Sequence, residues 1–70
     1  MDIVLYSTHC PRCNAIESIL KEKKIEFILE DNKEKVESIA EEKNYDFAPF
    51  AIIDGVWYNT KILQEWVKNN

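Results

Sequence analysis

The fold of this chain is decided by residues 4–20, which read VLYSTHCPRCNAIESIL. The apolar run Ile3–Tyr6 overlaps their start, and a run of this kind is typical of a strand covered on both faces, so we predict a central strand. A helical spacing follows, marked by Cys13, Ile16, Ile19, Leu20 and Lys23. Pro11 suits the first turn of a helix, which places the predicted helix start at the two cysteines.

The next two predicted elements lie in residues 25–43. Residues 25–29 are short, rich in Ile and Phe and flanked by charge, which predicts a second strand. Together with the first strand and helix it forms a βαβ unit, whose crossover is expected to be right-handed. Residues 32–43 carry one apolar stripe opposite an acidic face and predict a second, mostly solvated helix.

The C-terminal part of the chain predicts a hairpin and a helix. Two apolar runs, Phe50–Ile53 and Val56–Tyr58, are separated only by Asp54-Gly55, which is a strong signal for an antiparallel hairpin. Asn59 or Thr60 can cap a final helix. The buried face of that helix is predicted to hold Ile62, Leu63, Trp66 and Val67.

Length and composition limit the class of protein. The 70 residues predict one domain, residues 1–70, which buries only about 60% of the surface that the unfolded chain exposes. With 46% hydrophobic and 31% charged residues, the chain is too apolar to be disordered. The net charge is -4 and the basic residues are scattered, which argues against a nucleic-acid or membrane surface. No leader or membrane span is recognisable, so we expect a soluble, cytoplasmic protein. We expect it to be a monomer.

Cys10 and Cys13 are the only cysteines in the sequence, and three roles compete for them. A structural disulfide would close a very small loop and constrain the unfolded chain little, and a reducing cytoplasm would tend to open it. A metal site would use His9 as a third ligand, but a closed zinc site normally has four protein ligands, so only a dimer could complete it. A C-x-x-C pair in a βαβ setting favours a redox couple, and we predict no metal site.

The order β-α-β-α-β-β-α, with C-x-x-C at the first strand-to-helix junction, resembles the thioredoxin superfamily, and in particular the glutaredoxins and glutaredoxin-like redoxins. The resemblance covers essentially the whole chain. It rests on residues 6–13 (YSTHCPRC), on Phe47-Ala48-Pro49 and on the Ile52-Ile53-Asp54-Gly55 hairpin. It implies an α/β fold of the thioredoxin-like, glutaredoxin type, with three α/β/α layers and a four-stranded mixed sheet.

The two cysteines are predicted to divide the chemistry of thiol–disulfide exchange. Only a thiolate attacks a disulfide, and the N-terminus of a helix stabilises an anion through unpaired N–H groups and the helix dipole. Arg12, and His9 when protonated, add positive charge near Cys10, which we predict as the nucleophile. Cys13 lies one helical turn on and faces the core, so it is predicted to displace the product and form the Cys10–Cys13 disulfide.

Pro49 either marks the entrance of a strand or belongs to the substrate site. The resemblance implies the second role, in which a cis Ala48-Pro49 peptide bond leaves backbone groups of Ala48 to pair with an extended substrate or with glutathione. The candidate substrate- or glutathione-binding residues are Tyr6, His9, Pro11, Arg12, Ala48, Pro49, Asn59 and Thr60. Glutaredoxins usually carry T-V-P here and a G-G pair before the last helix, whereas this chain has Phe47-Ala48-Pro49 and no glycine pair.

The expected function is that of a cytoplasmic dithiol–disulfide oxidoreductase acting on protein disulfides or glutathione mixed disulfides. No cofactor is expected to be bound permanently, and glutathione is the expected co-substrate. One alternative is a redoxin that is reduced by thioredoxin reductase and donates electrons to ribonucleotide reductase. The other alternative is an adaptor domain whose thiols sense or anchor without catalysis.

Overall fold

The computed structural model describes residues 2–70, and its elements follow the predicted order β-α-β-α-β-β-α. The elements are β1 (Ile3–Tyr6), α1 (Pro11–Glu22), β2 (Ile28–Glu30), α2 (Lys33–Lys43), β3 (Phe50–Ile53), β4 (Val56–Tyr58) and α3 (Thr60–Asn69). The four strands form one mixed sheet in the order β2-β1-β3-β4. The prediction of an α/β fold with a four-stranded mixed sheet is therefore confirmed.

Strand β1 lies inside the sheet, as its apolar sequence predicts. It pairs in parallel with β2 and antiparallel with β3, and Leu5 stands opposite both Leu29 and Ala51. Strands β3 and β4 form the predicted antiparallel hairpin. Its turn residues Asp54 and Gly55 have positive φ angles of 48° and 83°, the backbone that a two-residue hairpin turn needs and that Gly adopts without a steric cost.

Strand β2 begins at Ile28, whereas the sequence predicts a strand that begins at residue 25 and covers residues 25–29. The reason is the end of α1: the Ile25 N–H donates to the Leu20 carbonyl at 2.9 Å, and Lys24 has a positive φ of 58°, so the chain is still closing the helix there. Ile25 and Phe27 are apolar because they pack against the core, not because they pair in the sheet.

The main core lies between one face of the sheet and two helices, α1 and α3. It consists of alternate residues of β1 and β3 and of one face of each helix: Ile3, Leu5, Ile16, Leu20, Ala51, Ile53, Leu63 and Val67. The opposite face of the sheet carries the aromatic side chains Tyr6, Phe50 and Trp57. Lys43 at the end of α2 places its Nζ 5.1 Å from the Trp57 ring centroid, so α2 lies on this second face.

The buried face of α3 is narrower than predicted. Leu63 and Val67, four residues apart, are buried, whereas Ile62 is 46% exposed and Trp66 is only partly buried. Because successive residues on a helix are about 100° apart, Ile62 lies beside the contact with the sheet rather than in it. Trp66 borders the core through an edge contact with Tyr58, with ring centroids 6.4 Å apart.

An asparagine directly before the helix caps the N-terminus of both α2 and α3. The Asn32 side chain accepts a hydrogen bond from the Lys35 N–H at 3.1 Å, and the Asn59 side chain accepts one from the Ile62 N–H at 2.9 Å. Of the two candidate caps for α3, Asn59 is therefore the one used. Within residues 2–70, no helix has both the length and the apolar character that crossing a membrane would require.

Candidate active site

Helix α1 begins at a cysteine. Cys10 has an extended backbone, and its Sγ accepts a hydrogen bond from the Cys13 N–H at 3.3 Å, which is the bond that a helix-capping side chain makes. Pro11 occupies the first helical position, where its missing N–H costs nothing. The predicted start of α1 at the cysteines is thus confirmed, and one reactive sulfur lies directly at the positive end of the helix.

The second sulfur lies beneath the first. Cys13 is fully buried, and its Sγ accepts hydrogen bonds from the Cys10 thiol at 2.8 Å and from the Thr8 N–H at 3.4 Å. Both cysteines are free thiols, but since an S–S bond is about 2.05 Å long, a movement of less than about 1 Å would join them. Cys10 is partly exposed, so an external disulfide can reach Cys10 but not Cys13.

The environment of Cys13 stabilises a negative charge. Burial raises the pKa of the Cys13 thiol, but hydrogen bonds from the Cys10 thiol, the Thr8 N–H and the Ser7 hydroxyl lower it, and the net shift is downward. In this arrangement Cys10 holds the proton that the two sulfurs share. The 2.8 Å contact between the two sulfurs is the path along which that proton can pass from one sulfur to the other.

A cleft of about 450 Å³ opens beside Cys10. Its lining consists of Thr8, Cys10, Pro11 and Arg12 on one side and Asp46, Phe47 and Ala48 on the other. The Ala48-Pro49 peptide bond is cis, as the resemblance implies, and the Ala48 carbonyl lies 3.9 Å from Cys10 Sγ. Across the cleft, the Arg12 guanidinium carbon lies 5.1 Å from the centroid of the 60% exposed Phe47 ring. Such a contact is a cation–π interaction between the two walls.

The wall that contains Pro49 is held by α3. The Thr60 hydroxyl donates to the carbonyl oxygens of Phe47 and Pro49, at 2.9 and 2.8 Å. Asn59 and Thr60, both predicted to bind substrate, line a recess of about 160 Å³ next to Phe47. Their polar side chains are engaged within the chain, Asn59 with its helix and Thr60 with the loop before β3.

The remaining predicted residues lie elsewhere. Tyr6 stacks on Phe50, with ring centroids 5.2 Å apart, and does not line the cleft. His9 is exposed and points to Asp31, with Nε2 2.8 Å from Oδ2. This hydrogen bond, together with nearby negative charge, raises the pKa of His9. The structure therefore brings together Cys10, Cys13, Pro11, Arg12 and Ala48, with Pro49 buried behind them.

Several residues at this site are absent from the sequence-based prediction. Ser7 and Thr8 contact the site from the loop after β1, Phe47 forms a wall of the cleft, and Glu17 and Asp31 contact Ser7 and His9. Ser7 is the one buried polar residue among residues 2–70. A serine directly after a buried strand was the available signal, since a polar group in that position needs a partner.

Among the described residues, no group of three or more His, Cys, Asp or Glu side chains is arranged to hold a metal ion. Comparison with protein-family models gives no match, and comparison with curated protein sequences finds no similar protein.

Proposed function

We propose that this protein is a dithiol–disulfide oxidoreductase with a thioredoxin-like fold of the glutaredoxin type, acting as a cytoplasmic monomer. The observation that carries the proposal is the cysteine pair: two free sulfurs 2.8 Å apart, one exposed at a helix N-terminus and the other buried beneath it. The strand order β2-β1-β3-β4 and the cis Ala48-Pro49 bond beside Cys10 support the same conclusion. The mixed sheet and the position of Ala48-Pro49 beside Cys10 are features that the resemblance implies.

The reaction proceeds in two exchanges. The Cys10 thiolate attacks a disulfide R–S–S–R′, forms a Cys10–S–S–R bond and releases R′–S⁻. Cys13 then loses its proton and attacks Cys10 Sγ, which breaks that bond, releases R–S⁻ and leaves the Cys10–Cys13 disulfide. The protein gives up two electrons and the substrate gains them, and an external dithiol or glutathione restores both thiols.

The substrate lies in the cleft beside Cys10. An extended segment that contains the disulfide fits between Arg12 and the Phe47-Ala48-Pro49 wall, where Phe47 offers an exposed apolar surface. Protein disulfides and glutathione mixed disulfides are the two substrate classes that this site can serve, with glutathione as the co-substrate in both cases. No permanently bound cofactor is required.

A second candidate differs in the reductant. In a redoxin of this kind, thioredoxin reductase supplies the electrons and ribonucleotide reductase receives them. This candidate is favoured by the start of α3, where the side chains of Asn59 and Thr60 are engaged with Ile62 N–H and with the Phe47 and Pro49 carbonyls. These groups are then not available to hold glutathione.

The test is turnover of a small glutathione mixed disulfide with glutathione, glutathione reductase and NADPH. We expect the wild type to turn over, Cys10→Ser to be inactive and Cys13→Ser to retain part of the activity, because Cys10 alone can exchange with glutathione. A silent wild type would remove glutathione as reductant, and the same three proteins would then be assayed with thioredoxin reductase. A wild type that does not form an intramolecular disulfide with a mild oxidant, as judged by mass, would instead be the adaptor.

A further inference from the structure

Thr8 contacts the buried sulfur of Cys13 through two separate groups. The Thr8 N–H donates to Cys13 Sγ at 3.4 Å, and the Thr8 hydroxyl oxygen lies 3.9 Å from the same atom. Hydrogen bonds to sulfur are longer than those to oxygen because the sulfur atom is larger. In the second contact either atom can be the donor, so the hydroxyl can accept from the Cys13 thiol or donate to its thiolate.

Thr8 also connects the buried sulfur to the surface. Cys13 is fully buried, whereas Thr8 is an exposed residue of the loop between β1 and α1. Thr8 lines the 450 Å³ cleft beside Cys10, where the proposed reaction takes place. One side chain therefore borders both the substrate cleft and the sulfur that must act second.

Formation of the mixed disulfide removes the closest donor to Cys13. In the resting protein the Cys10 thiol donates to Cys13 Sγ at 2.8 Å. Once Cys10 is joined to the substrate it has no proton to donate, whereas both groups of Thr8 remain. Attack requires a thiolate, and a buried thiolate is costly unless hydrogen bonds stabilise it. The second exchange therefore depends on Thr8 in a way that the first exchange does not.

We propose that the Thr8 hydroxyl donates a hydrogen bond to Cys13 Sγ in the mixed disulfide and so stabilises the resolving thiolate. This inference rests on the proposed function and makes Thr8 a positioning residue. Cys13 gives its proton to water in the cleft that Thr8 lines. The thiolate then forms the bond to Cys10 Sγ, and the Cys10–substrate bond breaks. R–S⁻ leaves with the electron pair and takes a proton from water, so the cysteines are oxidised and the substrate is reduced.

This role has a characteristic pH dependence, because a stabilised thiolate is more abundant but less nucleophilic. Nucleophilicity falls with a Brønsted slope of about 0.4–0.5, so tenfold more thiolate raises the rate only about three- to fourfold. Below the Cys13 pKa, loss of the hydroxyl should slow resolution by such a factor. Above that pKa the thiol is fully ionised with or without the hydroxyl, and the more basic thiolate should react as fast or faster.

Other groups near Cys13 do not differ between the proteins that this comparison uses. The titratable groups around it are Cys10, Glu17, His9 and Asp31. The Ser7 hydroxyl and the Thr8 N–H, which also lower the pKa of Cys13, are retained in every variant. The ratio of two rates at one pH therefore reports the Thr8 hydroxyl.

The first measurement is the stopped-flow reaction of the reduced protein with one equivalent of 5,5′-dithiobis(2-nitrobenzoic acid), repeated across the pH range. The first equivalent of released thionitrobenzoate reports attack by Cys10, and the second reports resolution by Cys13. Thr8→Val keeps the shape of the side chain and the backbone N–H but removes the hydroxyl. Thr8→Ser keeps the hydroxyl and is the matched control.

The rate of the second phase should rise with pH and level off, and this profile locates the Cys13 pKa. Below that pKa we expect the second phase to be about three- to fourfold slower in Thr8→Val and unchanged in Thr8→Ser, while the first phase changes less than about twofold in both. The deficit of Thr8→Val should vanish or reverse on the plateau. A second phase that equals the wild type below the pKa, or that is equally slow at every pH, overturns the role of the hydroxyl.

The second measurement does not depend on disulfide exchange. In Cys10→Ala, Cys13 is the only thiol and has lost the Cys10 donor, as it has in the mixed disulfide. Titration of its thiolate by ultraviolet absorbance should give a higher pKa in Cys10→Ala/Thr8→Val than in Cys10→Ala. An unchanged pKa, with a wild type that releases two equivalents of thionitrobenzoate, overturns the role of Thr8 alone. A wild type that releases only one equivalent overturns the proposed function and, with it, the role of Thr8 in resolution.

Discussion

The N-termini of α1 and α3 are built alike but differ in the atom that caps them. Both begin after a residue with an extended backbone whose side chain accepts a hydrogen bond from the N–H three residues on. In α3 the acceptor is the Asn59 amide oxygen, at 2.9 Å from the Ile62 nitrogen. In α1 it is the Cys10 sulfur, at 3.3 Å from the Cys13 nitrogen.

Because of this difference, the charge on a thiol affects helix capping at the start of α1 but not at the start of α3. A neutral thiol is a weak acceptor, whereas a thiolate is attracted both by the unpaired N–H groups and by the helix dipole. Helix α1 is therefore capped best when Cys10 carries the negative charge that the proposed disulfide exchange requires. Helix α3 begins with a permanent cap of the usual kind, and that end of the molecule holds the cleft wall in place.

The largest expected effect comes from replacing the sulfur cap by an oxygen. Cys10→Ser should abolish disulfide exchange completely, while the free energy of unfolding stays the same or rises by up to about 1 kcal/mol, because serine is among the best capping residues. Turnover and urea denaturation of the reduced protein measure the two quantities. Cys13→Ser serves as the control, and residual exchange in Cys10→Ser would mean that Cys13 can be reached from outside.

Removal of the Asn59 side chain, which caps α3, should lower stability and leave the reactivity of the cysteines unchanged. Asn59→Ala should lower the free energy of unfolding by about 1 kcal/mol, or about 4–8 °C in Tm, without changing the rate at which Cys10 reacts with a small disulfide. Thermal unfolding measures the first quantity, and the rate at which the reduced protein reacts with 5,5′-dithiobis(2-nitrobenzoic acid) measures the second. Asn32→Ala, at the start of α2, should behave in the same way. A slower thiol reaction in Asn59→Ala would show that capping and reactivity are coupled in α3 as well.

A smaller and more selective effect is expected at Thr60. Thr60→Val keeps the shape of the side chain and removes the hydroxyl that donates to the Phe47 and Pro49 carbonyls, so stability should fall by about 0.5–1.5 kcal/mol. Because this bond fixes the cleft wall, KM for a peptide disulfide should rise, whereas KM in Asn59→Ala should not. Steady-state kinetics of the two variants make the comparison, and equal KM values would contradict it.

The smallest effect concerns His9 beside Cys10. Its pKa is raised above the ordinary value of 6.5 by the hydrogen bond to Asp31, so the protonated pair stabilises the fold fully below about pH 6.5. That contribution disappears as the pH rises through the folded-state pKa. We expect a small decrease in Tm across this range in the wild type, and a flatter profile in Asp31→Asn. Both side chains are more than half exposed, so added salt should reduce the effect.

Most of the fold could be predicted because its signals are local. The Asp54-Gly55 turn, the apolar run of β1 and the proline after Cys10 each specify structure within a few residues. The prediction was wrong where a long-range contact decides: Ile25 packs on the core before β2 begins, and Ile62 lies beside the face that Leu63 and Val67 bury.

The candidate site divides in the same way. Cys10 and Cys13 could be found from their spacing, and the cis Ala48-Pro49 bond from the resemblance. The contacts of Ser7 with Glu17 and of His9 with Asp31 join residues 10 and 22 positions apart, and no local pattern indicates them. The start of α3 shows where prediction from sequence ends. Asn59 and Thr60 were equal candidates for its cap, and only the folded backbone shows that Asn59 is the residue used.

The cleft at Cys10 is built from two separate segments of the chain, and this has a consequence for how the protein can change. Because Asp46 and Phe47 belong to the loop before β3, whereas Cys10 belongs to the start of α1, substitutions at Asp46 or Phe47 alter one wall of the cleft and leave the cysteine pair in place. Under the proposed function, new disulfide substrates can thus be acquired while the cysteine chemistry stays constant. The two tasks are divided between different segments of a molecule whose longest dimension is only 29 Å.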